Sequence, residues 1–315
     1  MNLEQAIVAT LVYFDIFDYP LTADEIAYWL PLPVGLARSH LARLMKELVR
    51  KRVLAQKEGF YCIFGREEII SKRKENQKLS VLKLKIAQKI AQILIKVPGV
   101  LLVGLTGNLA MMAAQKNDDI DFLIITQRGK IWTARFLMVL LLEILGRRRR
   151  PESKQIRDKI CLNLFLEEAH LYFEKSKQDL YIAHEILQMR PLVERDTSRY
   201  PSGYRKENIY RRFLESNVWV RDFLPNAFVE KTRIYKQDLV IFPKKRRRKS
   251  IFTGYQSVSV WVPIEKILAF LQLWYMRKRQ TTEQVEKGQF FFHPQDKRRE
   301  VMEQYQKRIL KFGFG

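Results

Sequence analysis

The chain has 315 residues, of which 47% are hydrophobic, and it carries a formal net charge of +23. A chain of this length can bury substantial cores and is expected to form two or three domains. The positive excess indicates a polyanionic partner, either nucleic acid or an anionic membrane surface. The two cysteines, Cys62 and Cys161, lie far apart in predicted strands, which excludes a disulfide scaffold and a cysteine-rich zinc site.

The sequence shows no targeting segment. Its first residues lack a basic region followed by a signal core, and its most apolar stretch, residues 136–145, is too short to cross a bilayer. We therefore expect a cytoplasmic protein without integral membrane association.

Residues 1–65 predict a small helical unit that ends in a hairpin. Thr22 and Glu25 form a capping box at the start of its second helix, and its third helix is basic and amphipathic. The predicted elements are helices at residues 3–17, 22–30 and 36–49 and strands at residues 53–56 and 60–64.

Three helices and a hairpin in this order resemble a winged-helix domain. The resemblance implies that residues 35–49 form a recognition helix and that residues 57–59 form the tip of the wing. Arg38, His40 and Arg43 would then contact nucleic acid. Winged helices also serve as protein contacts, so both uses stay open.

A long helix at residues 66–97 is expected to join this unit to the next. Its first half is basic and its second half is apolar, so the helix passes from solvent onto a second core. Its charges are interpreted as a solvated face without a role in ligand binding.

The most informative stretch follows in residues 98–170. A buried strand at residues 100–103 leads into the turn Thr106-Gly107-Asn108, then into the start of a helix at residues 109–114, and then into a strand that carries Asp119 and Asp121. Because residues alternate faces along a strand, both aspartates point the same way and can hold a divalent cation. A glycine turn before a helix offers free backbone amides to phosphate.

The stretch LTGNLAMMAAQKNDDIDFLIIT resembles the signature of the DNA polymerase beta-like nucleotidyltransferase superfamily. The resemblance implies that Thr106, Gly107 and Asn108 bind the triphosphate of an NTP and that Asp119 and Asp121 bind Mg²⁺ or Mn²⁺. Asn108 departs from the small residue that the family usually has there, but its amide can still donate to a phosphate oxygen.

A third carboxylate of the family lies on a later strand, and here that strand is predicted at residues 159–166. Its central polar residue is Asn163, which can ligate a metal but cannot accept a proton from an attacking hydroxyl. Either substrate, water or a displaced carboxylate such as Asp158 or Glu167 takes over the activation, or only nucleotide binding remains.

The helix predicted at residues 130–145 is apolar almost all round, so we expect it to be covered on most sides. Four arginines, residues 147–150, follow it. Such a run favours the negative end of a helix, and it either contacts phosphate or RNA backbone or forms a solvated loop.

Residues 171–315 predict a helical C-terminal region. One helix covers residues 179–189, a second carries the apolar residues of 209–224, a third starts at Pro263 and a last one covers residues 296–310. A basic arm at residues 243–250 separates the second helix from the third. Its cationic side chains are candidates for phosphate contact: Lys244, Lys245, Arg246, Arg247 and Arg248.

Together these features predict an α+β protein with a winged-helix-like N-terminal domain, a nucleotidyltransferase-like core with a small mixed sheet, and a helical C-terminal domain. Three functions compete: a metal-dependent nucleotidyltransferase, a nucleotide sensor without catalysis, and a nucleic-acid-binding regulator that uses the winged helix and the basic arm. Basic residues next to leucine-rich helices also permit a membrane-surface role. That role is not favoured, because the apolar faces are expected to pack around the core.

Overall fold

The computed structural model shows a mixed α+β protein. The residues that it describes are 1–33, 38–150, 153, 155–196, 208–236, 258–277, 284–286, 288–291 and 297–313. In these ranges the chain forms twelve α-helices and two β-sheets.

The N-terminal unit contains three helices and a three-stranded sheet in the predicted order. Its elements are α1 (Leu3–Asp15), β1 (Leu21–Thr22), α2 (Ala23–Trp29), α3 (Arg38–Arg50), β2 (Leu54–Lys57) and β3 (Phe60–Ile63). The capping box is present: the Thr22 side chain accepts from the Glu25 amide, and the Glu25 carboxylate accepts from the Thr22 amide. α3 buries Leu41, Met45 and Leu48, as its amphipathic pattern predicts. β3 pairs with both β1 and β2, which fixes the hairpin beside the start of α2.

The predicted joining helix is α4 (Glu68–Leu94), but the expectation that its charges are solvated is wrong at two positions. Arg73 and Lys83 are buried. The Arg73 guanidinium donates to the Glu25 carboxylate at 2.6 Å and lies over the Tyr19 ring at 4.0 Å from the ring centroid. Lys83 donates a hydrogen bond to the Asp118 carbonyl, in the loop that precedes the second strand of the central sheet. α4 therefore binds both units with buried cations, which sequence periodicity cannot show.

The central region contains β4 (Val100–Leu105), α5 (Gly107–Ala110), β5 (Ile120–Thr126), α6 (Ile131–Ile144) and β6 (Ile160–Glu167). β4 is antiparallel to β5 and β5 is parallel to β6, so the predicted small mixed sheet is present. α5 is a single turn rather than the longer helix expected, because Met112 has a positive φ of 57° that a helix cannot accommodate.

The C-terminal region adds both helices and strands. Its elements are α7 (Leu180–Gln188), β7 (Arg190–Glu194), α8 (Ile209–Ser216), α9 (Val220–Phe223), α10 (Pro225–Lys236), α11 (Val258–Arg277), β8 (Gln284–Glu286), β9 (Gln289–Phe291) and α12 (Lys297–Leu310). The prediction of a purely helical region is therefore wrong. The central sheet has the order β7-β4-β5-β6-β9-β8, so the late strands pair with the open edges of β4 and β6.

Two helix boundaries also differ from prediction. The expected helix through residues 209–224 is broken at Asn217, whose buried side chain accepts from the Phe173 amide and donates to the Leu171 carbonyl. These bonds compete with the helical ladder and end α8. Pro263 lies inside α11 instead of starting it.

The two faces of the central sheet pack against different layers. Leu123 and Ile125 join a core that includes α1, α2, α3 and α7, while Phe122 and Ile124 join a core that includes α4 and α6. Alternation along β5 places Asp121 on the face of Leu123 and Ile125. The candidate site therefore lies on the side of the sheet that the N-terminal unit and α7 cover.

The prediction that α6 is covered on most sides is wrong along one stripe. Phe136, Leu140 and Ile144, spaced four residues apart, are all exposed. α11 packs against α6 and covers another part of its surface. Among the described residues, no helix is both long enough and apolar enough to span a bilayer.

Candidate functional site

The glycine turn lies directly against the second aspartate. The Thr106 amide donates to the Asp121 carbonyl at 3.0 Å, and Gly107 has a φ of 65°. A Cβ atom built on Gly107 would lie 2.6 Å from Asp121 Oδ2. Only glycine fits here, because it tolerates the left-handed conformation and leaves room for the carboxylate.

Asp119, Asp121 and Cys161 form a compact group. One ligand atom of each lies within 4.8 Å of the others, and Asp121 is the register partner of Cys161 between β5 and β6. Burial, followed by the charge of Asp119, raises the pKa of Asp121 to about 7. Burial also raises the pKa of Asp119, against the opposing charge of Arg149. Two such carboxylates side by side are stabilised by a cation between them.

The predicted third position is occupied differently. β6 carries Cys161 next to Asp121, and Asn163 is the extra residue at a register shift between Leu162 and Leu164. The Asn163 side chain is buried, and among the described residues its Oδ1 atom has no hydrogen-bond partner. A role for Asn163 in the metal site stays a prediction. Burial raises the pKa of the Cys161 thiol, which favours the protonated form of this residue.

The two displaced carboxylates considered from the sequence have other partners. Asp158 Oδ1 accepts from Lys83 Nζ at 2.8 Å, and Glu167 Oε1 accepts from the Gly129 amide at 3.0 Å. Lys83 Nζ also donates to the Asp118 carbonyl at 2.7 Å. These contacts support the loop that leads into β5.

The side chains of Thr106 and Asn108 stabilise the turn itself. Thr106 Oγ1 donates to the Asp121 carbonyl at 3.4 Å, and Asn108 Nδ2 donates to Asp118 Oδ2 at 3.0 Å. The Gln115 amide donates to the same oxygen of Asp118 at 3.0 Å. The three residues predicted to bind the triphosphate therefore lie beside the aspartates, and Asn108 ties the turn to the loop before Asp119.

One arginine of the four-residue run enters the site. Arg149 Nη1 lies 2.9 Å from Asp119 Oδ2 and donates to Cys161 Sγ at 3.5 Å. Arg148 and Arg150 instead pair with Glu143 on α6, at 2.8 and 2.9 Å. One arginine of the run therefore lies at the aspartates, and two others pair with Glu143 near the end of α6.

Sequence reasoning missed Glu185, a carboxylate of α7 that interacts electrostatically with Asp121. α7 leads directly into β7, where Arg190 pairs with Leu105 at the end of β4. Glu185 lies one turn earlier, and its carbonyl accepts from the Met189 amide at 3.2 Å. Burial and then the negative charge of Asp121 raise the pKa of Glu185 to about 7. An acidic residue in a helix rich in apolar residues is the sequence signal that could have identified it.

Sequence reasoning also missed Lys297, the first residue of α12. The positive charge of Lys297 opposes the rise in the pKa values of Asp119, Asp121 and Glu185, so it acts on all three carboxylates. Its side chain is exposed. No local pattern identifies this lysine, because only the docking of α12 brings it to the site.

Three of the residues considered for nucleic-acid contact, Arg38, His40 and Arg43, lie on α3. Arg38 is the first residue of α3, and the exposed Arg43 side chain lies 2.9 Å from Nδ1 of His40. Lys244, Lys245, Arg246, Arg247 and Arg248 lie outside the described residues.

The described part of the chain thus brings Asp119, Asp121, Cys161 and Arg149 together beside the turn at Gly107, and the charges of Glu185 and Lys297 act on this group from α7 and α12. In comparisons with known proteins, no family model matches the chain, and neither a curated protein nor a solved structure matches it.

Proposed function

We propose that this protein is a metal-dependent nucleotidyltransferase that transfers a nucleoside monophosphate from an NTP to a hydroxyl acceptor and releases pyrophosphate. The observation that carries the proposal is the close approach of Gly107 to Asp121, with Asp119 on the same side. A phosphate group held at the turn would lie within reach of a cation held by the two aspartates.

In this proposal Asp119 and Asp121 would hold a Mg²⁺ or Mn²⁺ ion, because hard divalent cations prefer carboxylate oxygens, and Glu185 would act on the same site from α7. The bound ion would polarise the phosphoryl oxygens and offset the charge that develops on them. Arg149 and Lys297, which already face the carboxylates, would contact the phosphates of the NTP.

Glu185 would also supply the proton acceptor that β6 lacks. A carboxylate with a pKa of about 7 can accept a proton from an attacking hydroxyl near neutral pH, which an asparagine or a protonated thiol cannot do. The position on a helix rather than on β6 explains why the strand pattern alone leaves the third acid missing.

One observation favours a second candidate, a nucleotide sensor without catalysis. Arg149 is paired with Asp119, so the protein already supplies a positive charge where a catalytic cation is expected. If this pair persists with NTP bound, the site would bind nucleotide without turnover. A nucleic-acid-binding regulator that uses α3 and the basic arm remains the third possibility.

The first experiment measures transfer of label from each α-³²P NTP, with Mg²⁺ or Mn²⁺, to acceptors in a cell extract. We expect incorporation by the wild type and its loss in Asp121→Asn. Asp24→Asn is the control, because Asp24 is an exposed acid of α2. Nucleotide binding without incorporation would support the sensor, and neither binding nor incorporation would refute both.

A second comparison separates the three candidates for the third position. Glu185→Gln removes a carboxylate with almost no change in shape, while Cys161→Ser and Asn163→Ala change β6. We expect loss of incorporation in Glu185→Gln and substantial retention in the two β6 variants. The reverse pattern would move the third position back to β6.

A further inference from the structure

Most of the exposed side chains described on α11 are apolar rather than charged. The exposed side chains described between residues 263 and 274 are apolar with one exception, Lys266. The aromatic and aliphatic residues stand out most: Ile267 is 59% exposed, Phe270 69% and Trp274 56%. A helix on a water-exposed surface normally presents charged residues there.

The polar residues of α11 are used on the opposite side, against α6. The Glu265 carboxylate accepts from the Trp132 amide at 2.6 Å and from the Thr133 amide at 3.0 Å, at the start of α6. Gln272 accepts from Arg135 at 2.6 Å and donates to the Trp132 carbonyl at 2.9 Å. α11 is therefore held against α6 by these hydrogen bonds and by the core packing of Leu268, Ala269 and Leu273, while its other large apolar side chains remain exposed.

α6 adds a second apolar stripe to the same helix pair. Phe136, Leu140 and Ile144 are 42%, 47% and 73% exposed. Two packed helices that both expose large apolar side chains form a surface that scattered single residues do not explain. We call the exposed apolar side chains of α6 and α11 the apolar surface.

Positive charge flanks α11 in sequence. Residues 244–249 are all lysine or arginine, α11 ends at Arg277, and Lys278 and Arg279 follow it in the sequence. No acidic residue occurs between Asp238 and Glu265, and Glu265 is bound to the start of α6. The partner of the apolar surface must therefore combine an apolar interior with negative charge at its boundary.

This combination selects among the possible occupants. A second copy of the chain would bring the same basic runs against each other, and each copy carries a net charge of +23. Nucleic acid would satisfy the basic runs but would not cover Phe270 and Ile267. An anionic phospholipid bilayer offers both headgroup charge and acyl chains.

We propose that the apolar surface docks on an anionic phospholipid bilayer, with α11 lying in the interface and the basic runs contacting headgroups. Trp274 would lie at the headgroup level, where amphipathic aromatic rings are favoured. The proposal requires no bilayer-spanning helix, and it is independent of the proposed nucleotidyl transfer. It would place the chain at a membrane surface whatever the site at Asp121 does.

Vesicle co-sedimentation tests the proposal with the full chain. We expect binding to vesicles of phosphatidylcholine mixed with phosphatidylglycerol and little binding to phosphatidylcholine alone. The double variant Phe270→Glu, Trp274→Glu should bind the mixed vesicles about tenfold more weakly or worse, because it places charge in the acyl region. The matched control is Val81→Glu, Leu82→Glu, which changes two exposed apolar residues of α4 and should bind like the wild type.

Acyl-chain-brominated lipids give a second readout. We expect them to quench tryptophan fluorescence in the wild type and much less in Trp274→Phe. Equal binding of the Phe270→Glu, Trp274→Glu variant and the wild type would overturn the proposal. So would a wild-type dimer that this variant dissociates, or RNA binding that depends on Phe270. Circular dichroism and urea unfolding of each variant recognise a misfolded protein separately.

Discussion

Arg149 Nη1 lies 2.9 Å from Asp119 Oδ2, and the same guanidinium donates to the sulfur of Cys161. The arginine therefore contacts two members of the group that surrounds Asp121. A divalent cation that binds the aspartates meets a positive charge already paired with one of them. This relationship makes cation affinity sensitive to a residue that is not a ligand.

We predict that Arg149→Gln increases the affinity for Mn²⁺ about tenfold. A neighbouring opposite charge changes the pKa of a carboxylate by about one unit or more, which corresponds to a factor of about ten in an equilibrium constant. Isothermal titration at pH 8, in the absence of nucleotide, measures the change. Arg150→Gln is the control, because Arg150 pairs with Glu143 instead. An unchanged affinity in Arg149→Gln would show that the arginine does not compete with the cation.

Gly107→Ala should abolish Mn²⁺ binding and lower the free energy of unfolding by more than Gly129→Ala. The two glycines have the same φ of 65°, so the cost of the left-handed conformation, about 1–2 kcal/mol, is matched. Only at Gly107 does the new methyl group collide with Asp121, since nothing lies within 4 Å of a Cβ on Gly129. Urea unfolding and metal titration of both variants check the prediction, and equal behaviour would contradict it.

Without divalent cations, Asp121 should make the protein less stable as the pH rises. The pKa of Asp121 in the folded protein, about 7, exceeds its ordinary value of 3.8, so folding favours the protonated form. This contribution is fully present below pH 3.8 and is lost as the pH rises through 7. Between pH 5 and pH 8, we expect the wild type to lose about 2–4 kcal/mol relative to Asp121→Asn.

Chemical denaturation of both proteins in EDTA, at several pH values, measures this difference. Added Mg²⁺ at pH 8 should stabilise the wild type and leave Asp121→Asn nearly unchanged. Parallel pH profiles for the two proteins would mean that burial and the charge of Asp119 do not raise the pKa of Asp121.

Lys83→Met should destabilise the protein by about 2–3 kcal/mol, because it leaves Asp158 and the Asp118 carbonyl without their buried partner. Replacing Asp158 as well, in Lys83→Met, Asp158→Asn, should recover part of the loss. Lys89→Met is the control, since Lys89 is exposed on the same helix. Thermal and urea unfolding measure the effect, and a neutral Lys83→Met would show that the pair adds no stability.

Local physics made part of this protein predictable. The capping box at Thr22, the apolar face of α3 and the hairpin after it follow from interactions within a few residues. The shared face of Asp119 and Asp121 follows from the two-residue period of a strand. The contact between Gly107 and Asp121 agrees with the prediction that the glycine turn lies opposite the strand that carries the aspartates.

Other features depend on which distant segments pack together. The chain places Arg149, Glu185 and Lys297 far apart, and only the pairing of β5 with β6 and the docking of α7 and α12 bring them to one site. Asn163 lies out of the expected register because β6 has a bulge at this position. The residue pattern of a strand does not reveal a bulge.

The amino-acid sequence by itself determined the elements of the N-terminal unit and the first strands of the core, the acidic pair and the charge, because each depends on residue type and short-range periodicity. The tertiary structure alone decided which distant charged groups act on the pair and which apolar side chains of α6 and α11, among the described residues, stay exposed. The physical reason is that burial and charge proximity are properties of contacts between segments. The sequence pattern of a helix such as α11 shows how many apolar residues it has, but not which of them become buried.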